Sequence, residues 1–196
     1  MIILASQSKI RKEYLERFNI PFTVQPAHID ESALKNEAPL AYVKRIALAK
    51  AAAVSKANPG SVVLAADTPV IVGRRILQTP QTEAEAREML ELQSGRRVAI
   101  TTVVVVADAS GKLHSKTVSS WVKFKRISKA EVDAYLASGH WQHVSGALRF
   151  AYIEHWIADF YGSYSGSRGL PLYETAQLLA RAGITINPFA PGGLRV

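Results

Sequence analysis

The stretch Ser61-Val62-Val63-Leu64-Ala65-Ala66-Asp67-Thr68-Pro69-Val70-Ile71-Val72 decides the fold. Its first part, Ser61 to Ala66, is a short continuous apolar run, which suits a strand buried on both faces. Thr68 to Val72 continues that strand past Asp67. Gly73-Arg74-Arg75 then reads as a turn into Ile76-Leu77. A carboxylate placed directly after buried-strand material stands where α/β proteins commonly bind ligands, at the C-terminal end of a strand. There it can hold Mg²⁺ or take a proton from water. The alternative is that Asp67 only caps a turn.

Outward from this stretch, helices and strands alternate. Ile2 to Ala5 reads as a short buried strand, and Ser8 or its neighbour can cap a helix to about Arg17. Pro39 to Lys56 reads as a second helix, with proline near its first turn. Thr82-Glu83-Ala84-Glu85 has the capping-box pattern and opens a helix to about Leu92. Two strands follow, Val98 to Ala107 and Leu113 to Ile127, joined by the turn-like Asp108-Ala109-Ser110-Gly111. Ser128-Lys129-Ala130-Glu131 repeats the capping box for a helix ending near Gly139, and a last helix runs from about Leu172 to Ala182. The pattern predicts an α/β fold, a mixed twisted sheet with flanking helices, and the length suits one domain, or one domain with two lobes around a cleft. Residues 1–185 are expected to form a single domain. Residues 186–196, with Pro188, Pro191 and Gly192-Gly193, are expected to form a loose tail.

At 196 residues, 48% hydrophobic and 20% charged, the chain can bury a core without staples. It has no cysteine, so disulfides, thiolate chemistry and cysteine-ligated zinc are excluded. No apolar stretch approaches the roughly 20 residues needed to cross a bilayer, and the N-terminal run is too short for a signal-peptide core. A cytoplasmic protein with no membrane partner is expected. The net charge of +8 favours phosphate-rich ligands. The basic residues are scattered, in short pairs such as Lys44-Arg45 and Arg96-Arg97, with no stripe interleaved with aromatics. Nucleic acid is therefore not expected as a partner.

Four places could carry chemistry. Ser6-Gln7-Ser8-Lys9-Ile10-Arg11 sits where a strand turns into a helix. Free N–H groups and the dipole there attract anions, and two hydroxyls with Arg11 add donors suited to phosphate. The alternative is simple capping by Ser8 with Arg11 solvated. On the second helix, Leu40, Val43, Ile46, Ala47, Ala51 and Val54 form an apolar stripe, and Lys50 falls inside it. An inward lysine needs an anionic partner unless it snorkels to water. Asp67-Thr68 is the third place. Asp30-Glu31, an acidic loop pair ahead of that helix, could hold a hard cation or be merely solvated. The five histidines show no metal-ligand spacing, and Trp121, Trp141 and Trp156 are expected to pack. Gly162-Ser163-Tyr164-Ser165-Gly166-Ser167 lacks the G-K-[ST] ending of a P-loop and reads as a flexible loop.

In sequence order these pieces resemble the Maf family, also called septum-formation inhibitor or nucleotide pyrophosphatase proteins. Leu4 to Arg11 resembles the L-A-S-x-S-P-R-R opening, Ile29-Asp30-Glu31 the acidic loop, Ala47 to Ala51 the L-A-x-x-K-A helix and Ala66-Asp67-Thr68 the G-A-D-T motif. Met89 to Arg96 resembles M-L-x-x-L-S-G-x, and Gly162 to Thr175 resembles G-S-Y-x-x-V-x-G-L-P-L-x-E-T. The resemblance implies a fold related to inosine triphosphate pyrophosphatases, often dimeric, with a nucleotide cleft between two lobes. It also implies hydrolysis of a nucleoside triphosphate to monophosphate and pyrophosphate with a divalent metal, Mg²⁺ or Mn²⁺. Asp67 would accept the proton of the attacking water, Glu31 with Asp67 would hold the metal, and Ser6, Ser8, Arg11 and Lys50 would contact the phosphates. Thr68 matches the subfamily that prefers dTTP and UTP.

Four positions depart from the family pattern. Thr79 and Val144 stand where lysine is usual, Ala151 replaces the specificity-determining Gln, and Ile10 replaces the first Arg of the opening. Loss of one charge-assisted contact to a transition state costs on the order of 10² to 10³ in rate. A degenerate member that binds nucleotide or a division partner with little turnover is the second reading.

Overall fold

The computed structural model describes residues 1–189. The elements in chain order are β1 (Ile2–Leu4), α1 (Lys9–Glu16), β2 (Phe22–Val24), α2 (Pro39–Ala57), β3 (Val62–Asp67), β4 (Val70–Val72) and β5 (Arg75–Leu77). They continue with α3 (Glu83–Gln93), β6 (Arg97–Ala107), β7 (Leu113–Phe124), α4 (Lys129–Ala137), α5 (Phe150–Ile153), β8 (Ile157–Tyr161), α6 (Tyr164–Ser167) and α7 (Leu172–Arg181). The eight strands form one mixed sheet. β1 lies parallel to β2 and to β3, whereas β6 runs antiparallel to β3, β4 and β7.

The long strand β6 organises the molecule. One edge pairs along its whole length with β7, from Arg97↔Lys123 to Ala107↔Leu113. The other edge is shared: β3 pairs from Val63↔Ala107 to Asp67↔Val103, and β4 resumes with Val70↔Ile100. The register is unbroken across the gap, so β4 does continue β3 as the sequence suggests. The interruption is Thr68-Pro69, where proline has no N–H to give the ladder, although the Pro69 carbonyl still accepts from the Thr101 N–H at 3.3 Å.

Alternation within the strands sets the layers. Ile2, Leu4, Val62, Leu64, Ala66, Val104 and Val106 pack with α1 and α7 on one face. Ile3, Ala5, Val63, Ala65, Val103, Val105 and Ala107 pack with α2 on the other. Beyond the Thr68-Pro69 break, β4, β5, the first half of β6 and the end of β7 build a separate core with α3, α4, Trp141, Ile153 and Trp156. Two lobes therefore share one sheet, and the break between β3 and β4 lies at their junction.

Several expectations are corrected. Leu40 is exposed in the first turn of α2, and Tyr42 is buried in the stripe instead. Thr82 caps α3, but the Glu85 carboxylate accepts the Gln81 N–H, so only one arm of that box forms. Both arms of the Ser128/Glu131 box are present. Trp121 is not packed away but half-exposed with the Arg97 guanidinium over its ring. Tyr164–Ser167 is a helical turn capped by Ser163 rather than a flexible loop. In the expected tail, Ile186 packs on the first lobe and the Asn187 N–H reaches the Phe18 carbonyl at 3.4 Å. Pro191 and Gly192-Gly193 lie outside the described residues.

Candidate active site

β1 and β3 are parallel neighbours, so their C-terminal ends fall on the same side of the sheet. Ser6 follows β1 and Asp67 ends β3, and both are buried. Lys50 projects from the inner face of α2 and is also buried. Its ammonium donates to Asp67 Oδ1 at 2.9 Å and to Glu31 Oε2 at 2.6 Å. The apolar stripe thus turned the lysine inward, and two carboxylates compensate the charge it would otherwise bury alone. The Tyr42 hydroxyl donates to the Glu31 carbonyl and accepts from Gln78 Nε2, which fixes the acidic loop against α2.

Ser8 is the N-cap of α1 and accepts the Arg11 N–H at 3.4 Å. Ser6 Oγ accepts the Ser8 N–H at 3.2 Å. The Arg11 side chain turns inward rather than out to solvent. Nη1 donates to Ser6 Oγ at 3.0 Å, Nη2 to Thr68 Oγ1 at 3.2 Å and Nε to the Gly169 carbonyl at 2.8 Å. Thr68 Oγ1 in turn pairs with Thr102 Oγ1 at 2.9 Å. Burial pushes the Arg11 guanidinium below its ordinary value, and the charges of Asp67 and Glu31 push it back. An arginine remains a cation throughout. Three of its five donors are engaged, which leaves two for a ligand.

These side chains line a cleft of about 470 Å³ at the lobe junction. Ser8, Ile10, Arg11, Glu31, Lys50, Asp67, Thr68 and Ala151 all face it. Ser6 faces an adjoining space of about 320 Å³ that shares Arg11, Glu31 and Lys50. These residues therefore meet at one place, whereas Asp30 lines neither space and caps its own loop by accepting the Ser32 N–H at 2.8 Å. The departures meet there too: Ile10, Thr79, Val144 and Ala151 all line the larger cleft. Both volumes fall in the usual range for small-molecule sites.

Other lining residues were not singled out by sequence. Arg149 and Arg168 face the cleft, as do Tyr152 and Phe150. Arg149 is held by the carbonyls of His140 and Gln142 at 2.8 Å each. Arg168 donates to the Tyr164 hydroxyl, and its Nε–H is buried with no acceptor among the described residues. Arg168 falls at a variable position of the Gly162-to-Thr175 motif and Arg149 lies in none of the motifs above, so pattern gives no signal for either.

Glu31 and Asp67 are two hard oxygen ligands beside a basic cleft. Mg²⁺ is commonly held by one or two carboxylates together with substrate phosphates, so this donor set fits a divalent cation that arrives with a polyphosphate. No group of three or more His, Asp or Glu side chains able to hold a metal by themselves occurs among the described residues.

An α/β scaffold with a cationic and carboxylate-bearing cleft at the strand ends is the kind of site that suits an anionic ligand. The chain belongs to the Maf-like protein family, which it matches over residues 1–182. It is 44% identical over 193 residues to a protein of Paramagnetospirillum magneticum named dTTP/UTP pyrophosphatase, covering 97% of this chain and 99% of that one. It is also 44% identical over 182 residues to a nucleoside triphosphate pyrophosphatase of Ehrlichia canis, covering 92% and 95%. Among solved structures, a HAM1 protein from Coxiella burnetii shares the fold, with a TM-score of 0.53, 18% identity and coverage of 92% and 98%. Among the described residues no helix is long and apolar enough to cross a membrane.

Proposed function

We propose that this chain is a nucleoside triphosphate pyrophosphatase that hydrolyses dTTP or UTP to the monophosphate and pyrophosphate. The observation that carries the reading is Lys50, a buried lysine bridging Glu31 and Asp67 in a cleft it shares with Arg11. The names of the relatives from P. magneticum and E. canis support it.

Lys50 engages Asp67 Oδ1 and leaves Oδ2 to accept a proton from water, the role of a general base. Fixing the carboxylate in this way also orients it, so the water it activates is aimed at one phosphorus. Arg11, prepositioned by Ser6, Thr68 and the Gly169 carbonyl, offers its remaining donors to phosphate oxygens as negative charge builds on them. Ser8 and Ser6 add hydroxyl contacts at the mouth of α1. A divalent cation, Mg²⁺ or Mn²⁺, would be held by Glu31 and Asp67 and would neutralise charge on the phosphates. Ile10, Thr68 and Ala151 would face the base and ribose.

Purified protein is assayed for pyrophosphate release from each triphosphate with Mg²⁺ or Mn²⁺, beside an Asp67→Ala control. Release of pyrophosphate by the wild type alone is expected, and no release above the control would remove the reading. A second reading is favoured by Thr79, Val144, Ile10 and Ala151 all lining the cleft without the expected polar groups. In that case the chain binds a triphosphate with little turnover, and a fast wild-type enzyme excludes it.

A further inference from the structure

The lining of the cleft is mixed. Arg11, Lys50, Glu31, Asp67, Arg149 and Arg168 bring charge, and Ile10, Val70, Ile100, Leu148 and Phe150 bring apolar wall. A nucleotide needs both, with a charged polyphosphate and a flat base. Ala151 brings only a methyl group to this wall, with no side-chain donor or acceptor for a base edge. The next residue, Tyr152, lines the same cleft and is 51% exposed.

Tyr152 is not a loose surface side chain. Its ring stacks on His140 with centroids 3.5 Å apart and an interplanar angle of 17°. His140 is held in turn, because Arg149 Nε donates to its carbonyl at 2.8 Å while Nη2 holds Gln142. Arg149 immediately precedes α5, the short helix that bears Tyr152, and the Tyr152 N–H donates to the Arg149 carbonyl at 2.9 Å. One arginine therefore ties both members of the stack to a common frame. An aromatic ring already fixed before binding loses little freedom when a ligand arrives.

We propose that Tyr152, backed by His140 and positioned by Arg149, is a stacking platform for the base, so that this site grips the base by its face. The inference rests on the reading of the cleft as a triphosphate site and adds a residue to it. A ring face accepts any base, and a base–aromatic stack is commonly lost at a cost of about 5- to 150-fold in affinity on truncation to alanine.

The test measures equilibrium binding of the non-hydrolysable α,β-methylene analogues of dTTP, UTP and GTP. Tripolyphosphate serves as a probe with no base. Tyr152→Ala is expected to weaken all three analogues by about ten-fold and to leave tripolyphosphate unchanged, with Tyr152→Phe restoring wild-type affinity. His140→Ala should give a smaller loss in the same pattern. Equal loss for tripolyphosphate, loss of one base only with no rescue by phenylalanine, or no loss at all would overturn the platform while leaving the triphosphate site standing. Failure of the wild type to bind either the analogues or tripolyphosphate would overturn both.

Discussion

Replacing Lys50 by methionine keeps an unbranched apolar stem and removes the ammonium, with its charge and its donors to Glu31 and Asp67. The lysine side chain is 11% exposed and contacts Asp67, 13% exposed, and Glu31, 46% exposed. Glu31 can turn to solvent when its partner is lost, so its share of the interaction is small. Asp67 cannot, and it is left as an uncompensated buried charge. Removing one member of a buried pair costs roughly 3–5 kcal/mol, and Glu31's exposure places this case near the lower end, about 3 kcal/mol. For a chain of this size each kcal/mol moves Tm by roughly 2–4 °C, which gives a fall of about 6–12 °C. The double variant Lys50→Met/Asp67→Asn removes the stranded charge and should regain about 2 kcal/mol of that loss. Urea and thermal unfolding of the four proteins in the cycle measure both effects. A Lys50→Met protein as stable as the wild type, or a double variant less stable than Lys50→Met, would refute the argument that these two charges compensate each other in the interior.

Three further outcomes are expected. Thr79→Lys should raise kcat/KM by on the order of 10²-fold, as one charge-assisted contact to the phosphates is regained; steady-state kinetics decide it. Gly146 has φ +62°, and a Cβ there would lie 2.9 Å from the Val70 side chain, whereas Gly139 has φ +70° and open space. Both alanine variants carry the left-handed strain, about 1–3 kcal/mol, but Gly146→Ala should be the less stable by urea unfolding because the clash adds to it. The Glu131 carboxyl is held down to about 2, first by Lys125 and then by Ser128. Its contribution is present above its ordinary 4.5 and is lost as pH falls towards 2. Glu131→Gln should therefore flatten the acid side of a stability–pH curve in that window and leave its alkaline side unchanged.

How far the sequence could be read depended on whether the signal was local. The β3 run, the long β6 strand and the stripe of α2 are decided by neighbours one to four residues apart, and they appear where pattern puts them. Lys50 was legible because it interrupts an apolar face. Its partners were legible as types but not as contacts, since Glu31 is 19 and Asp67 17 residues away. Arg11 was expected near the helix mouth, yet the carbonyl that fixes it belongs to Gly169, 158 residues on. β2 and β8 are short and partly exposed, so neither carries a strong apolar run. Residues 140–156 fold as turns and single helical turns with His143, Gly146 and Ala147 at positive φ, which leaves no periodicity to follow. The stacked pair of Tyr152 and His140 lies in that region, and only the folded chain brings the two rings together.

The most direct test of the account is the site of attack. Turnover of dTTP or UTP is run in water enriched in the heavy oxygen isotope, and the products are separated and weighed by mass spectrometry. Water aligned by Asp67 at the α-phosphorus places the label in the monophosphate, leaves pyrophosphate unlabelled, and requires that Asp67→Asn, folded by circular dichroism, release neither. Label in pyrophosphate, release of inorganic phosphate with a diphosphate, or full activity of Asp67→Asn would contradict it.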